Sequence, residues 1–272
     1  MSLIDVLVLL ICGSASGFLA GLLGIGGGMI LVPFMILVFN HAGFNQEVIV
    51  HMAIASGMAT IPFTSVSAVN AHHKHGSIQW KLVMAMAPGL VIGSLVGGSK
   101  IFDALKTSWL SLFFAVFLVY TATQMLLNKK PKPERDLPGG IGLFSFGAFA
   151  GAVSSLVGAG GAVLTVPFML WCNVKPHIAM ASSSGLGFPI AIASTIGYIY
   201  GSWGHPNLPA WSLGYVYLPA VICIATVSVL MAPHGAKMAR KLNVAALKRV
   251  FGIILFFLAA FMFNESRKAF GF

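Results

Sequence analysis

Charge is what this chain has least of. Asp, Glu, Lys and Arg together make up 8% of its 272 residues, against 58% hydrophobic ones. A water-soluble fold carries about a quarter charged residues, so the composition excludes one. Acidic residues are the scarcest, six in all: Asp5, Glu47, Asp103, Glu134, Asp136 and Glu265, each at the end of an apolar segment or in a loop. No carboxylate is left at mid-membrane depth for a proton relay or a Na⁺ site, the usual work of buried acids. No Lys or Arg falls there either. The three cysteines, Cys12, Cys172 and Cys223, are isolated in apolar stretches, with no metal-ligand or disulfide spacing. HExxH and GxSxG are missing, which argues against an intramembrane enzyme. The sequence therefore predicts no catalytic residue, no cofactor and no metal.

What is abundant is uninterrupted apolar sequence. No charged residue occurs from Val6 to Gln46, from Leu137 to Val174, or from Pro176 to Ala236. Such runs hold one or more helices of the ~20 residues that cross a ~30 Å hydrocarbon core. The expected fold class is an all-α polytopic membrane protein, with the lipid bilayer as its first partner. The net charge of +10 sits in short loops between apolar runs, where it sets topology rather than binding nucleic acid. The N-terminus carries Asp5 in place of a basic region, so an uncleaved first membrane segment is expected.

The chain is also duplicated. Residues 13–35, from Gly13 through Gly24-Ile25-Gly26-Gly27-Gly28 to Val32-Pro33-Phe34-Met35, align without a gap with residues 147–169 at an offset of 134. Five helical segments are predicted in each half: 3–23, 29–40, 46–70, 79–99 and 107–127, then 140–157, 162–172, 177–200, 211–231 and 246–264. Ala55-Ser56-Gly57 answers Ser183-Ser184-Gly185, and the pair Trp80/Pro88 answers Trp211/Pro219. The repeats are assigned to 1–128 and 141–272, joined by a charged linker at 129–140 that is rich in Pro and Gly.

The second segment of each half is short. At 1.5 Å per residue, about 11 residues span ~17 Å, near half the bilayer core. It follows directly on the glycines and contains Pro33 or Pro167, so it reads as a re-entrant half-helix or as one arm of a broken crossing. If segments one and two return the chain to its starting side, the halves are inverted. Twelve of the sixteen Lys and Arg residues then share one side. A single broken crossing makes the halves parallel and divides the sixteen evenly. The positive-inside rule needs an asymmetry, which favours inverted repeats with a cytoplasmic linker and both termini outside.

Interruptions repeated at corresponding places in two halves point to a transport site. Successive glycines let backbone N–H groups converge, and a following helix adds the positive end of its dipole. Gly24, Gly26, Gly27 and Gly28, with Gly158, Gly160 and Gly161, are thus candidate anion cradles. Close helix packing is the alternative, and it fits Gly13, Gly17 and Gly21 and also Gly89, Gly93 and Gly97. Hydroxyls surround Pro62 and Pro189 in the third segments. They either bond back to their own helix or line a path; Ser56, Ser183 and Ser184 are favoured for lining because they recur. Pro33, Pro167, Pro62 and Pro189 are candidate break or gating positions. His72, His73 and His75 read as a solvated cytoplasmic patch, and His51 as the one histidine placed to titrate within a path.

The paired GxGG-xxxx-VP pattern and the stretch Asn70-Ala-His-His-Lys-His-Gly-Ser-Ile-Gln-Trp80 resemble the sulfite exporter TauE/SafE family. The resemblance implies a bacterial inner-membrane secondary transporter of sulfur-containing oxyanions such as sulfite, organosulfonates or sulfoacetate. It carries over onto Gly24, Gly26, Gly27, Val32 and Pro33, and onto Gly158, Gly160, Gly161, Val166 and Pro167. Ala162 replaces Gly28 in the second copy, so the two cradles need not be equivalent. A passive anion channel shares these features. A negative interior drives anions outward without a coupling ion, which favours export.

Overall fold

Uncharged runs become helices because lipid offers the backbone no hydrogen-bond partners, so each segment must satisfy its own amides. The computed structural model describes residues 2–23, 27–73, 78–127, 135–238 and 244–271. Gly24, Gly26, the side chains of the His72–His75 cluster and most of the linker lie outside the described residues. The first half holds α1 (Leu3–Leu23), α2 (Gly28–His41), α3 (Ile49–His73), α4 (Trp80–Gly98), the single-turn α5 (Lys100–Ala104) and α6 (Thr107–Leu127). The second holds α7 (Gly140–Val157), α8 (Ala162–Trp171), α9 (Pro176–Gly201), α10 (Leu218–Met238) and α11 (Val244–Phe270), with a two-stranded hairpin, β1 (Ser212–Leu213) and β2 (Val216–Tyr217), before α10.

Eight of these helices are long and apolar enough to cross a membrane, while α2 and α8 are shorter. Large apolar side chains cover the outside, among them Ile141, Phe257 and Ile222, a surface that water would not tolerate and lipid does. This is a multi-pass membrane protein.

Three departures from the expected segments have local causes. The helix expected from 211 begins at Leu218, because Trp211 and Gly214 both take positive φ and turn the chain into the hairpin. Trp80 opens α4 with Pro88 inside it, whereas Trp211 precedes the hairpin and Pro219 lies in the first turn of α10. The two Trp/Pro pairs are therefore not equivalent positions. Finally, α11 runs on to Phe270, its last turn carrying Arg267 and Lys268 where the helix dipole favours cations.

The short helices fold back on the long ones before them. Asp5 at the start of α1 lies 2.8 Å from His41 at the end of α2, so this pair of helices returns the chain to its starting end. The second half repeats the arrangement: the Arg135 guanidinium, just before α7, sits 4.3 Å above the Trp171 ring at the end of α8. Phe146 and Phe168 stack between these helices at 3.7 Å.

Small residues then let the halves interlock. Helix α1 packs along α10 and α4 along α7. A Cβ on Gly17 would fall 2.4 Å from the Ser228 backbone, and one on Gly93 would fall 1.9 Å from the Ala148 carbonyl oxygen. The expected packing role of the Gly13 and Gly89 series holds, for these contacts involve backbone that cannot yield. Gly93→Val is expected to destabilise the fold by about 3 kcal/mol. Loss of the monodisperse peak in detergent size-exclusion chromatography checks it. Helices α6 and α11 pair antiparallel: the Ser266 hydroxyl donates to the Ser108 carbonyl (3.0 Å), and a Cβ on Gly252 would approach the Ala122 carbonyl at 3.2 Å.

These contacts define two ends. One, the terminal end, gathers Asp5, Glu47, the 99–107 segment, the 202–217 loop and Ser266. The other, the linker end, gathers Arg135, Trp171 and the starts of α4, α9 and α11.

Candidate functional site

The glycine motifs form sharp bends at the centre of the bundle. Gly27 (φ +68°) and Gly161 (φ +79°) are the N-caps of α2 and α8, each in the left-handed region, and no side chain caps either helix. Gly158 (φ +59°) closes α7 in the same region. Positive φ explains why these three positions hold glycine. The two copies also meet: a Cβ on Gly28 would stand 2.2 Å from the Gly158 carbonyl oxygen. All four singled-out prolines, Pro33, Pro62, Pro167 and Pro189, lie inside continuous helices. The interruptions fall at the glycines.

Beside this junction lies a narrow cleft of about 20 Å³, lined by Ile61, Thr64, Ser65 and Ala68 of α3, by Ser183, Ser184 and Gly187 of α9, and by Ala20 and Gly160. It occupies the half of the bundle nearer the linker end, because α3 approaches that end and α9 leaves it. Ser183, Ser184 and Gly160 come together here as the sequence suggested. Ser56 does not. Its hydroxyl accepts from the Tyr217 N–H at 2.9 Å, just before α10, as Ser182 accepts from the Gln79 N–H at 3.0 Å just before α4. Several of the other hydroxyls bond within their own helix: Thr60 to Gly57, Thr64 to Ile61, Ser184 to Met180 and Thr195 to Ala191.

Two polar residues escaped the sequence reading. Thr165 Oγ1 donates to the Gly161 carbonyl at 3.1 Å and lies 2.7 Å from Ser183 Oγ, joining α8 to α9. Its counterpart in the first copy is Leu31, so a hydroxyl within an otherwise apolar motif was the available signal. Ser154, in α7, answers Ala20. The first bend is satisfied internally, since the Ser16 hydroxyl donates to the Gly27 carbonyl at 3.1 Å. The two cradles thus differ by more than Ala162 against Gly28.

The terminal end is closed by aromatic rings. His51 Nε2 donates to the carbonyls of Leu105 (2.8 Å) and Phe102 (3.2 Å), and its ring stacks on Tyr215 at 5.0 Å. Phe102 packs on Tyr198 at 4.5 Å, and the Tyr198 hydroxyl donates to the Ser155 carbonyl. His51, expected within a path, is a buried pin that holds α5 and the residue after it against α3. The Tyr215 hydroxyl donates to Asp103 at 2.7 Å. Burial, with the Asp103 carboxylate beside it, raises the phenol far above its ordinary range, so it remains a donor. Tyr215→Phe is expected to cost about 1.5–3 kcal/mol, as for a bond to a charged acceptor, read as a lower unfolding midpoint in detergent.

Among the described residues no group of three or more His, Cys, Asp or Glu could hold a metal ion. Of the described acidic residues, Asp5, Glu47, Asp103 and Glu265 stand at the terminal end and Asp136 at the linker end. Lys81, Arg135, Lys175, Lys237, Lys248 and Arg249 stand at the linker end, and Lys100, Lys106, Arg267 and Lys268 at the terminal end.

Comparison with known proteins places the chain among membrane transporters. The sequence pattern of the sulfite exporter TauE/SafE family matches residues 9–262. A Haemophilus influenzae protein named probable membrane transporter protein is 34% identical over 263 residues, covering 95% of this chain and 98% of its own. Proteins of the same description from Methanocaldococcus jannaschii (24% identical; 94% of each chain) and Bacillus subtilis (25%; 74% of this chain and 80% of its own) are also similar. No solved structure matches. With its bent hairpins and apolar exterior, the chain belongs to the sulfite exporter TauE/SafE family of membrane transporters.

Proposed function

We propose that this transporter exports a small sulfur-containing oxyanion, such as sulfite, an organosulfonate or sulfoacetate, across the bacterial inner membrane. The observation that carries the reading is the meeting of two glycine-bent hairpins, Gly28 against Gly158, beside a hydroxyl-lined cleft. Amides at Gly27–Gly28 and at Gly160 and Gly161, with hydroxyls of Ser183 and Ser184 that can turn to donate, offer hydrogen bonds to an oxyanion, while the Gly158 N–H is held by the Ser154 carbonyl. Among the described residues no Lys or Arg is buried. The function is transport without catalysis, cofactor or nucleic acid.

Residues 1–128 and 141–272 are taken as inverted repeats about the linker at 129–140. Support comes from the equivalent helices α6 and α11, which run antiparallel, and from hairpins that each return to the end they left. The linker end is then cytoplasmic, by its excess of Lys and Arg, and the termini are periplasmic. The cleft lies towards the basic end, where positive charge concentrates anions, and rings close the other end. This conformation corresponds to loading from the cytoplasm.

Purified protein in liposomes, held at a clamped potential, tests the reading with sulfite, thiosulfate, a sulfonate and sulfate. Saturable flux with countertransport supports a carrier. Single-channel currents overturn it in favour of a pore, and an absence of flux for every anion overturns the transport assignment.

A further inference from the structure

A serine in a helix ordinarily returns its proton to a carbonyl one turn back, as Ser14 does to Leu10 and Ser184 to Met180. Ser154 in α7 does not. The residue is 1% exposed, and its hydroxyl has no hydrogen-bond partner among the described residues. Its neighbour Ser155 is satisfied by the Ala152 carbonyl at 2.7 Å. A buried hydroxyl with nothing to bond is costly, and its position suggests what would complete it.

Ser154 Oγ lies 3.8 Å from the point where a Cβ on Gly161 would stand. Gly161 is the uncapped start of the ten-residue helix α8, so the hydroxyl lies beside unmatched N–H groups and the positive end of a dipole. The Ile190 side chain shares that space. Ile190 Cδ1 is 2.3 Å from the same point, and Ile190 is fully buried. It follows Gly187 by three residues on α9, one turn inward from the cleft. The first copy has nothing similar, because Ala20 stands where the second has Ser154.

We propose that Ser154 is an anion-binding residue. Its hydroxyl and the first N–H groups of α8 form an inner subsite for an oxygen of a sulfite or sulfonate head group, and the Ile190 terminal methyl closes that subsite off from the cleft. The methyl moves by χ2 rotation, which leaves the β-branched χ1 in place. The anion supplies acceptors alone, which the hydroxyl and amides lack in the closed state. This inference rests on the anion-transport reading and adds to it the position of an occluded step.

The test uses the full chain with Cys12, Cys172 and Cys223 replaced by alanine. In that background S154C is expected to react with the anionic reagent 2-sulfonatoethyl methanethiosulfonate, with methanesulfonate protecting it and I190A speeding the reaction about tenfold or more. Separately, S154A is expected to weaken half-saturation for sulfite in liposomes about tenfold, the scale of one hydrogen bond to a charged group, and S154T restores it. Unchanged half-saturation in S154A, or a thiol that stays unreactive even with I190A, overturns the subsite. If Gly161→Val still abolishes flux in that case, the transport reading stands without it. If the unmodified protein carries no anion at all, both fall.

Discussion

Gly161→Val abolishes anion flux while the protein remains inserted and folded, and Gly27→Val does the same: these are the largest expected effects of single substitutions. At both positions the backbone is in the left-handed region, φ +79° and +68°, where a β-branched residue is a strong outlier. The strain is on the order of 1–3 kcal/mol. The added atoms also collide, the first with Ile190 Cδ1 at 2.3 Å and the second with Ser16 Oγ at 2.2 Å. The obstacle at Gly161 is the end of a side chain, and at Gly27 it is the Ser16 hydroxyl with the Ser16 carbonyl oxygen at 2.9 Å, so the fold adjusts by shifting the start of α8 or α2. That shift moves the amides that hold the anion. Misplacement of about 1 Å suffices for a hundredfold loss where geometry governs a rate. Gly43→Ala is the control: it has φ +75° with open space around it and stands away from the bends, so the same strain should leave flux intact. Normal sulfite flux in both valine variants would remove the cradle.

The second large effect is on direction. Moving one charge through 100 mV is worth ~2.3 kcal/mol, and a doubly charged anion therefore ~4.6 kcal/mol. With each ~1.4 kcal/mol a factor of ten, a dianion carried alone distributes about three powers of ten in favour of the positive compartment. Expected is outward movement from inward-negative vesicles, insensitive to Na⁺ or proton gradients. The structure supplies the reason: Asp5, Glu47, Asp103 and Glu265 are held at one end, where Asp5 is engaged by His41, Asp103 by Tyr215 and Glu265 by Lys268. Accumulation inside such vesicles without a cation gradient would reverse the assignment. Reporter tags that put residue 133 and the carboxyl end in one compartment would remove the inverted arrangement on which the polarity depends.

Much of this was legible from local sequence. The bounds of α6 follow from where charge stops and resumes, and the ends of α1 and α7 follow from runs of glycine. Legibility ended where turn chemistry competed with hydropathy. Trp211 through Leu218 is apolar enough to extend α10, yet Trp211 and Gly214 adopt positive φ and a hairpin forms. The candidate site divides in the same way. Ser183, Ser184 and Gly160 recur or sit in the motif, and the fold gathers them into one cleft. Ser56 recurs too, but its partner is the Tyr217 N–H, 161 residues away, and no local pattern shows that. Ser154 and Ile190 carried no signal at all, since a serine or isoleucine in a membrane helix is ordinary.

The sequence by itself determined that the chain lives in lipid, that its two halves are alike, and that its backbone bends at glycines. Those are properties of contiguous residues: transfer of a run of side chains out of water, and the torsional freedom of a residue without Cβ. Tertiary structure alone decided which hydroxyls face the cleft, which end is closed by rings, and which buried donor is left unmatched. Each of these depends on the atoms that a distant segment brings within about 3 Å, the range at which hydrogen bonds form.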